Sequence, residues 1–531
     1  MENKKKLKQN TTLAPKQVSP SSINALPSEI LIQIFLLTVD SQSCVLRSDH
    51  SYEFTPMVPK HPDSVLLVCY HWYKIAIALR SLWAHIDVML SCPQAEPFLA
   101  RAKAYVVRVQ RAPLDVHIMD PGIHPRYRIS WMHGPSTNSD MDENENGIDS
   151  ANEDEDDSTL YTVSSEDETS LDEFMLDIDK FDCLLAHEPT PIRSLELTTH
   201  CKYHMSQLVA LQYYLSRCAP GTLTRLLIRT EHPDDEPLGH FIEYGYVGES
   251  LDVPMEDLEK ALNSITTLHL HGLYPYWTSQ AYHGLADLYL GEGVQIPEQE
   301  LIDILRSCPG LRALRLNCRI TDPITQTNQH GEYEGEPPFD VHLKDLEILD
   351  IHSLSYGSTA MLLRRLSYNS KPLRLCLSQV DRDDDVSHFL CCSKNLNVTE
   401  LRVTHGKLGD LYEYIERYTR LHTLVIGEWD DADVPSGQSR LLILRKSNLR
   451  WYLPGDKSYE TCLDTLYVIR ISISYSELRV MVDYYSVRRL VLWHSSVRMS
   501  GRSGGPTDAE IAALCSVVGI LKRSEPNPVK Q

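Results

Sequence analysis

Apolar side chains recur along this chain with two different periods, and the change of period divides it. Near the amino end Leu26, Ile30 and Ile34 repeat at every fourth position, and Leu31 and Phe35 widen the stripe. That spacing predicts a helix with one buried face. Pro27 suits the first turn, where its missing N–H has no partner to lose, and Glu29 favours the positive end of the helix dipole. Residues 40–62 are polar and carry Pro56, Pro59 and Pro62, which predicts a loop. Asp63 or Ser64 then caps a second predicted helix. Its buried face holds Val65, Val68, Cys69, Trp72, Ile75, Ala76 and Leu79, and Leu82 with Trp83 closes the segment.

Beyond Trp83 the period becomes two. Short strands are expected at 86–89 and 114–118, with a helix between them carrying Phe98, Leu99, Ala102, Val106 and Val107. A phrase of two leucine-like residues flanking a third then recurs. Its copies are Leu195/Leu197, Leu226/Ile228, Leu268/Leu270, Leu288/Leu290, Leu314/Leu316 and Leu349/Ile351. Leu375/Leu377, Leu401/Val403, Leu424/Ile426, Leu466/Val468 and Leu490/Leu492 continue it. From Leu288 many copies lie about 23–26 residues apart, and others are separated by roughly 35–42, as if carrying insertions. Helix-like runs at 300–311 and 408–418 precede two of them. A strand and a helix every 20–29 residues is the spacing of leucine-rich repeats. One such unit cannot bury its apolar face alone, but stacked units can, with the strands lining one concave surface. The expected fold class is α/β: a small helical segment, then an irregular leucine-rich-repeat-like solenoid, or horseshoe. An ordinary α/β domain with Leu-rich strands is the other reading of the same phrases.

Composition narrows the function classes. Hydrophobic residues make up 42% and charged residues 23%, a globular mix in which most of the chain can bury a core. The net charge of −22 is uneven, because 18 acidic residues and a single lysine stand between Asp140 and Asp182. The rest of the chain is near neutral and shows no basic stripe, so a nucleic-acid partner is not expected. The acidic, Ser-rich stretch 135–177 is expected to be a disordered insertion. In it Ser164 and Ser165 precede Glu166, Asp167 and Glu168, which suits either an acidophilic kinase or a plain solvated loop. Residues 1–22 are expected to be a disordered basic tail. Its lysines Lys4, Lys5, Lys6 and Lys8 suit a nuclear address or a solvated end. Residues 499–531 read as a tail with a short helix at 508–522. The 13 cysteines are odd in number and lack any Cys-x-x-Cys pair, which points to reduced thiols in the cytoplasm or nucleus. No apolar run reaches the roughly 18–20 residues of a membrane span, and no signal peptide is expected.

Taken together, Leu26, Pro27, Glu29, Ile30, Leu31, Ile34, Phe35, Val68, Cys69, Trp72, Ile75, Ala76, Leu82, Trp83 and Ile86 resemble the F-box, a three-helix module. The loop between Phe35 and Val68 is longer than is usual for that module and leaves its middle helix open. The region after it resembles the divergent leucine-rich repeats of many F-box proteins. The resemblance implies an F-box over 23–90, with the inserted polar loop 40–62, and a solenoid over 91–498. It implies a non-enzymatic substrate receptor of an SCF-type cullin–RING ubiquitin ligase, docked on a Skp-family adaptor. Adaptor contacts would fall on Leu26, Pro27, Ile30, Leu31, Ile34, Phe35, Val68, Cys69, Trp72, Ile75, Leu82 and Trp83. A scaffold that binds the adaptor without ubiquitination is the alternative, and an α/β hydrolase is a third.

In the repeated phrase the leucines face inward and the middle residue points out. Substrate-protein contacts would then fall on His269, Tyr289, Arg315, Asp350, Arg402 and Tyr467. A second column, two residues on, adds His271, Asn317, His352, Thr404 and Trp493. A merely solvated sheet face is the plain reading of those columns. Other fragments fall short of chemistry. Gly501–Pro506 lacks a His and Asp setting for a serine nucleophile. The run Asp381–Asp385 lacks the glycine and glutamate of a calcium loop. Cys183, His187, His200 and His204 approach zinc spacing but with one cysteine where the common finger has two. No phosphate-cradling glycine loop occurs, and no cofactor or metal is expected.

Overall fold

The computed structural model describes residues 26–41, 62–90, 95–120, 185, 189–199, 205–230, 240–241, 253–291, 294–321, 341–352, 362–363, 365–368, 371–380, 396–406, 415, 418–427, 462–499 and 505–521. The basic tail, the polar loop from 42 to 61, the acidic insertion, the Asp381–Asp385 run, Gly501–Gly504 and the Cys183/His187/His200/His204 group lie outside them.

The repeated phrases become neighbouring strands of a single sheet. In chain order the sheet comprises β1 (His85–Met89), β2 (Leu114–Asp120), β3 (Ile192–Thr199), β4 (Arg225–Thr230) and β5 (Thr267–His271). It continues through β6 (Asp287–Leu290), β7 (Ala313–Leu316), β8 (Ile348–Ile351), β9 (Leu373–Val380) and β10 (Val398–Gly406). It ends with β11 (Thr423–Gly427), β12 (Thr465–Ile469), β13 (Arg489–Trp493) and β14 (Val517–Leu521). All 14 strands stand in sequence order. Each is parallel to the last. Parallel neighbours need a crossover between them. Here helices α3 (Ala95–Val109), α4 (Met205–Arg217), α5 (Met255–Leu262), α6 (Glu298–Arg306) and α7 (Tyr475–Tyr484) each lie between consecutive strands.

The register keeps one residue type per column. Leu226, Leu268, Leu288, Leu314, Leu349, Leu375, Leu401, Leu424, Leu466 and Leu490 are paired strand to strand. Every one of them is 0% exposed. Burying a leucine contributes about 1.5–3 kcal/mol, so this column is the main stabilising element of the sheet. The helices close the other side of the core. On α6, Leu301, Ile302, Ile304 and Leu305 are buried, with Glu298 and Glu300 in the first turn and Arg306 in the last. On α7, Ser474 and Glu477 form a reciprocal capping box. Short parallel pairs extend the strand layer beyond the main sheet, such as Gln295–Pro297 with Arg319–Thr321 and Ser472–Ser474 with Ser496–Arg498.

The sheet reaches into the segment assigned to the helical module and into the carboxyl-terminal tail. It begins at His85, inside the segment assigned to the helical module, and it ends at Val517–Leu521, where the sequence suggested helix. In that tail the helix is short, α8 (Asp508–Ala512), and a strand follows it. Val517 pairs with Arg489 and Leu521 with Trp493, so the exposed edge of β13 captures the segment as a last strand.

At the amino end α1 (Ser28–Ser41) and α2 (Tyr70–Ala78) pack together through Phe35 and Trp72, whose rings lie 5.0 Å apart. Among the described residues of this segment there are two α-helices and two 3₁₀ turns, Asp63–Leu67 and Arg80–Trp83. The second predicted helix is therefore split. Cys69 is extended, and its sulfur accepts the Trp72 N–H at 3.5 Å, so α2 starts there. Asp63 does not cap it. Its carboxylate instead accepts the Tyr105 hydroxyl at 2.7 Å and Arg101 Nε at 3.2 Å from α3. Burial pushes the Tyr105 hydroxyl's pKa up, which keeps it a neutral donor.

Candidate functional site

Two surfaces carry the residues singled out by the sequence. The first is the amino-terminal helical segment. Its inner side chains form part of the main core: Leu31, Phe35, Leu82 and Trp83 are at most 2% exposed. The Trp83 indole donates to the Ala76 carbonyl at 2.8 Å, and the Arg108 guanidinium lies over its ring at 4.3 Å. These four residues hold the helices to the sheet. Leu26, Ile34, Cys69, Trp72 and Ile75 are half-buried. Pro27, Ile30 and Val68 are exposed.

The outer side of the same segment holds residues that the sequence reading did not select. Leu37 is 64% exposed, Leu67 86%, Tyr70 70% and Tyr73 44%, beside Ile30 at 47% and Val68 at 52%. Among the described residues, the remaining large apolar side chains that are exposed are Val107, Met255 and Val517, which are scattered. Single exposed apolar residues are ordinary, but six of them within one short segment is a concentration that suits an interaction surface. The signal was available in α1: Leu37 continues the Ile30–Ile34 side of the helix, away from Leu31 and Phe35.

The second surface is the sheet face opposite the leucine columns. The ladder sets the middle column side by side from Asp87 through His117, Glu196, Leu227, His269, Tyr289, Arg315, Asp350, Cys376, Arg402, Val425 and Tyr467 to Val491. The expected contact residues are all brought to this face, but it is less open than a solvated sheet. His269, His271, Tyr289, Arg315, Asn317, His352 and Tyr467 are half-buried, and Asp350, Arg402, Thr404 and Trp493 are buried.

Three zones follow along the face. At β5–β7, Asp287 accepts from Arg315 and faces His269 Nε2 at 3.1 Å, and the His269 and Tyr289 rings meet edge to face. At β8–β10, His352 Nε2 lies 2.8 Å from Asp350, and Glu400 binds Arg402 at 2.6 Å and Arg374 at 3.1 Å. At β9–β13 the face turns apolar: Cys376, Val425, Ile469 and Trp493, with Tyr467 against them, form a cluster separate from the main core. Burial pushes the Cys376 thiol's pKa well up, so it behaves as an apolar filler and not as a nucleophile. At the opposite end, on β1 and β2, His85, Asp87 and His117 place one ligand atom each within 4.8 Å of one another.

Among the described residues the cysteines are free thiols, and no helix is long and apolar enough to cross a membrane. No protein-family model matches the chain, and no curated protein matches it either. Among solved structures, an internalin of Listeria monocytogenes strain 4b F2365 aligns over 64% of this chain and 76% of its own, at 14% identity and a TM-score of 0.22.

Proposed function

We propose that this chain is a protein-interaction subunit that docks on a Skp-family adaptor through its amino-terminal helices and holds a second protein on its sheet. On this reading it is an F-box substrate receptor of an SCF-type cullin–RING ubiquitin ligase, working in the cytoplasm or nucleus. The chain supplies recognition, and the transfer chemistry belongs to the enzymes it assembles with. The observation that carries the reading is the concentration of exposed apolar side chains on α1, α2 and the turn between them. Ile30, Leu37, Leu67, Val68, Tyr70 and Tyr73 lie over an interior already filled by Leu31, Phe35 and Trp83. A helical segment with its core satisfied and its outer face apolar is built for helix-face recognition.

The division between inner and outer residues defines the test. Ile30→Asp with Tyr70→Asp changes only exposed positions, so the melting temperature stays at that of the parent chain. Co-purification with a Skp-family adaptor is expected to be lost. Leu31→Asp would remove association by unfolding the segment and therefore says nothing about docking. Full-length protein that fails to bind the adaptor, or binds it unchanged in the double variant, would overturn the reading.

A further inference from the structure

The first two strands collect chemistry that an adaptor or substrate surface does not require. His85 and Asp87 stand two residues apart on β1 and share a face. The ladder sets His117 beside Asp87, and Glu196 beside His117. His85 Nε2 lies 2.9 Å from Asp87 Oδ1, and His117 Nδ1 lies 3.8 Å from the same oxygen. The other ring nitrogen of His117, Nε2, faces Glu196 Oε1 at 3.9 Å.

We propose that His85, Asp87 and His117 form a zinc site in which Glu196 orients His117. Two imidazole nitrogens and one carboxylate oxygen are a zinc donor set. With bonds of about 2.0–2.2 Å, tetrahedral geometry puts ligand atoms about 3.3 Å apart. The observed 2.9 and 3.8 Å bracket that separation, so small side-chain rotations close the site. A ligating histidine donates its second N–H to a carboxylate, which fixes the ring and raises its basicity. Glu196 Oε1 stands on that side of the ring at 3.9 Å, and a small side-chain rotation would bring it within hydrogen-bond reach of Nε2. Arg101 does not compete for the same atom, because its guanidinium approaches Asp87 Oδ2 at 3.8 Å and leaves Oδ1 toward the two rings. Asp87 and His117 side chains are 5% and 1% exposed, which shields the ion. The His85 side chain, at 34%, opens a path from solvent and leaves room for water as the fourth ligand. The ion would clasp β1 to β2 where the helical segment meets the sheet. The competing device is a proton on His117, held between Asp87 and Glu196 without any metal.

The test uses the full chain, stripped with a chelator and titrated with Zn2+ while thermal unfolding is followed. Co2+ absorption then reports the donors. One ion per chain is expected to raise the melting temperature at neutral pH. The cobalt spectrum should show nitrogen and oxygen donors without a thiolate charge-transfer band. His85→Ala also takes a hydrogen-bond partner from Asp87, so its metal-free melting temperature should fall modestly, while zinc no longer raises it and zinc affinity falls at least tenfold. Glu196→Gln should weaken zinc by about 10–100-fold. Zinc binding unchanged in His85→Ala, or a thiolate band from cobalt, would overturn the proposal. So would a chain that is stabilised by acidification and indifferent to zinc.

Discussion

At Asp287 an arginine and a histidine converge on one carboxylate. Burial alone would push its pKa up, but the hydrogen bond and charge of His269, and then Arg315, outweigh burial and hold it below the ordinary 3.8. A carboxyl group whose folded pKa is depressed binds fewer protons in the folded state than in the unfolded state at intermediate pH. Its contribution is therefore complete at neutral pH. It declines as pH falls from the ordinary aspartate range through the depressed folded value. Asp287→Asn keeps an oxygen acceptor for Arg315 and His269 but removes the charge that strengthens those contacts, at a cost of about 1–2 kcal/mol at pH 7. Urea unfolding of parent and variant at a series of pH values checks this. The gap should narrow as pH drops below 3.8, and a gap independent of pH would refute the assignment. Gly427 shows a different constraint at the same scale. It ends β11 with φ at +118°, and an added Cβ would run into the Ile469 carbonyl and the Ile471 side chain. Gly427→Ala is expected to cost about 1–3 kcal/mol from backbone strain, and more from overlap. Gly310→Ala, with open space around it, is the control and should be neutral or slightly stabilising. Thermal melts of the two variants separate these outcomes.

At the scale of elements, the sheet was legible and its edges were not. All eleven Leu-x-Leu phrases lie in strands of the one sheet, because a buried inner column and a different outer column leave a period of two that survives irregular spacing. The final strand escaped notice because Val517-Val518-Gly519-Ile520-Leu521 puts glycine in the middle position and follows a capped helical start at Thr507. The apolar spacing predicts a second amino-terminal helix that runs through Cys69 as one element. Its apolar spacing is continuous there, and only the local backbone, extended at Cys69, interrupts it. The residues expected to contact an adaptor come from the F-box resemblance, whose apolar positions do not distinguish the inner side of a helix from its outer side. Leu31 and Ile30 are adjacent and alike, yet they are 0% and 47% exposed. The His85, Asp87 and His117 group was hidden for another reason. His85-x-Asp87 is a common strand pattern, and His117 joins it only through the register of β1 on β2, which no local pattern encodes.

Over the whole molecule the main core is continuous. Leu31 and Phe35 of α1, Trp83, the leucine columns and Ile511 near the carboxyl end all belong to one buried cluster. Stability in a stacked array is the sum of what each unit holds internally and what it shares with its neighbours, and end units must present a polar outer side. The amino-terminal helices therefore serve two purposes: they cap the first strand, and they carry the exposed apolar surface proposed for docking. Removing residues 1–90 would strip β1 from β2 and leave Val116 and Ile118, now at 2% exposure, at an uncovered edge. Asp63 would also be lost as the partner of Tyr105 and Arg101 on α3. An open parallel edge with an uncovered apolar layer is a template for association between chains. The shortened chain is thus expected to melt below the full chain and to self-associate, as seen by light scattering on a sizing column. The Ile30→Asp, Tyr70→Asp double variant of the full chain should remain monomeric with an unchanged melt. Only the surface substitutions can then separate docking from folding. If the chain beginning at residue 91 proved monomeric and as stable as its parent, the helices would be an appended module and the core would begin at β2.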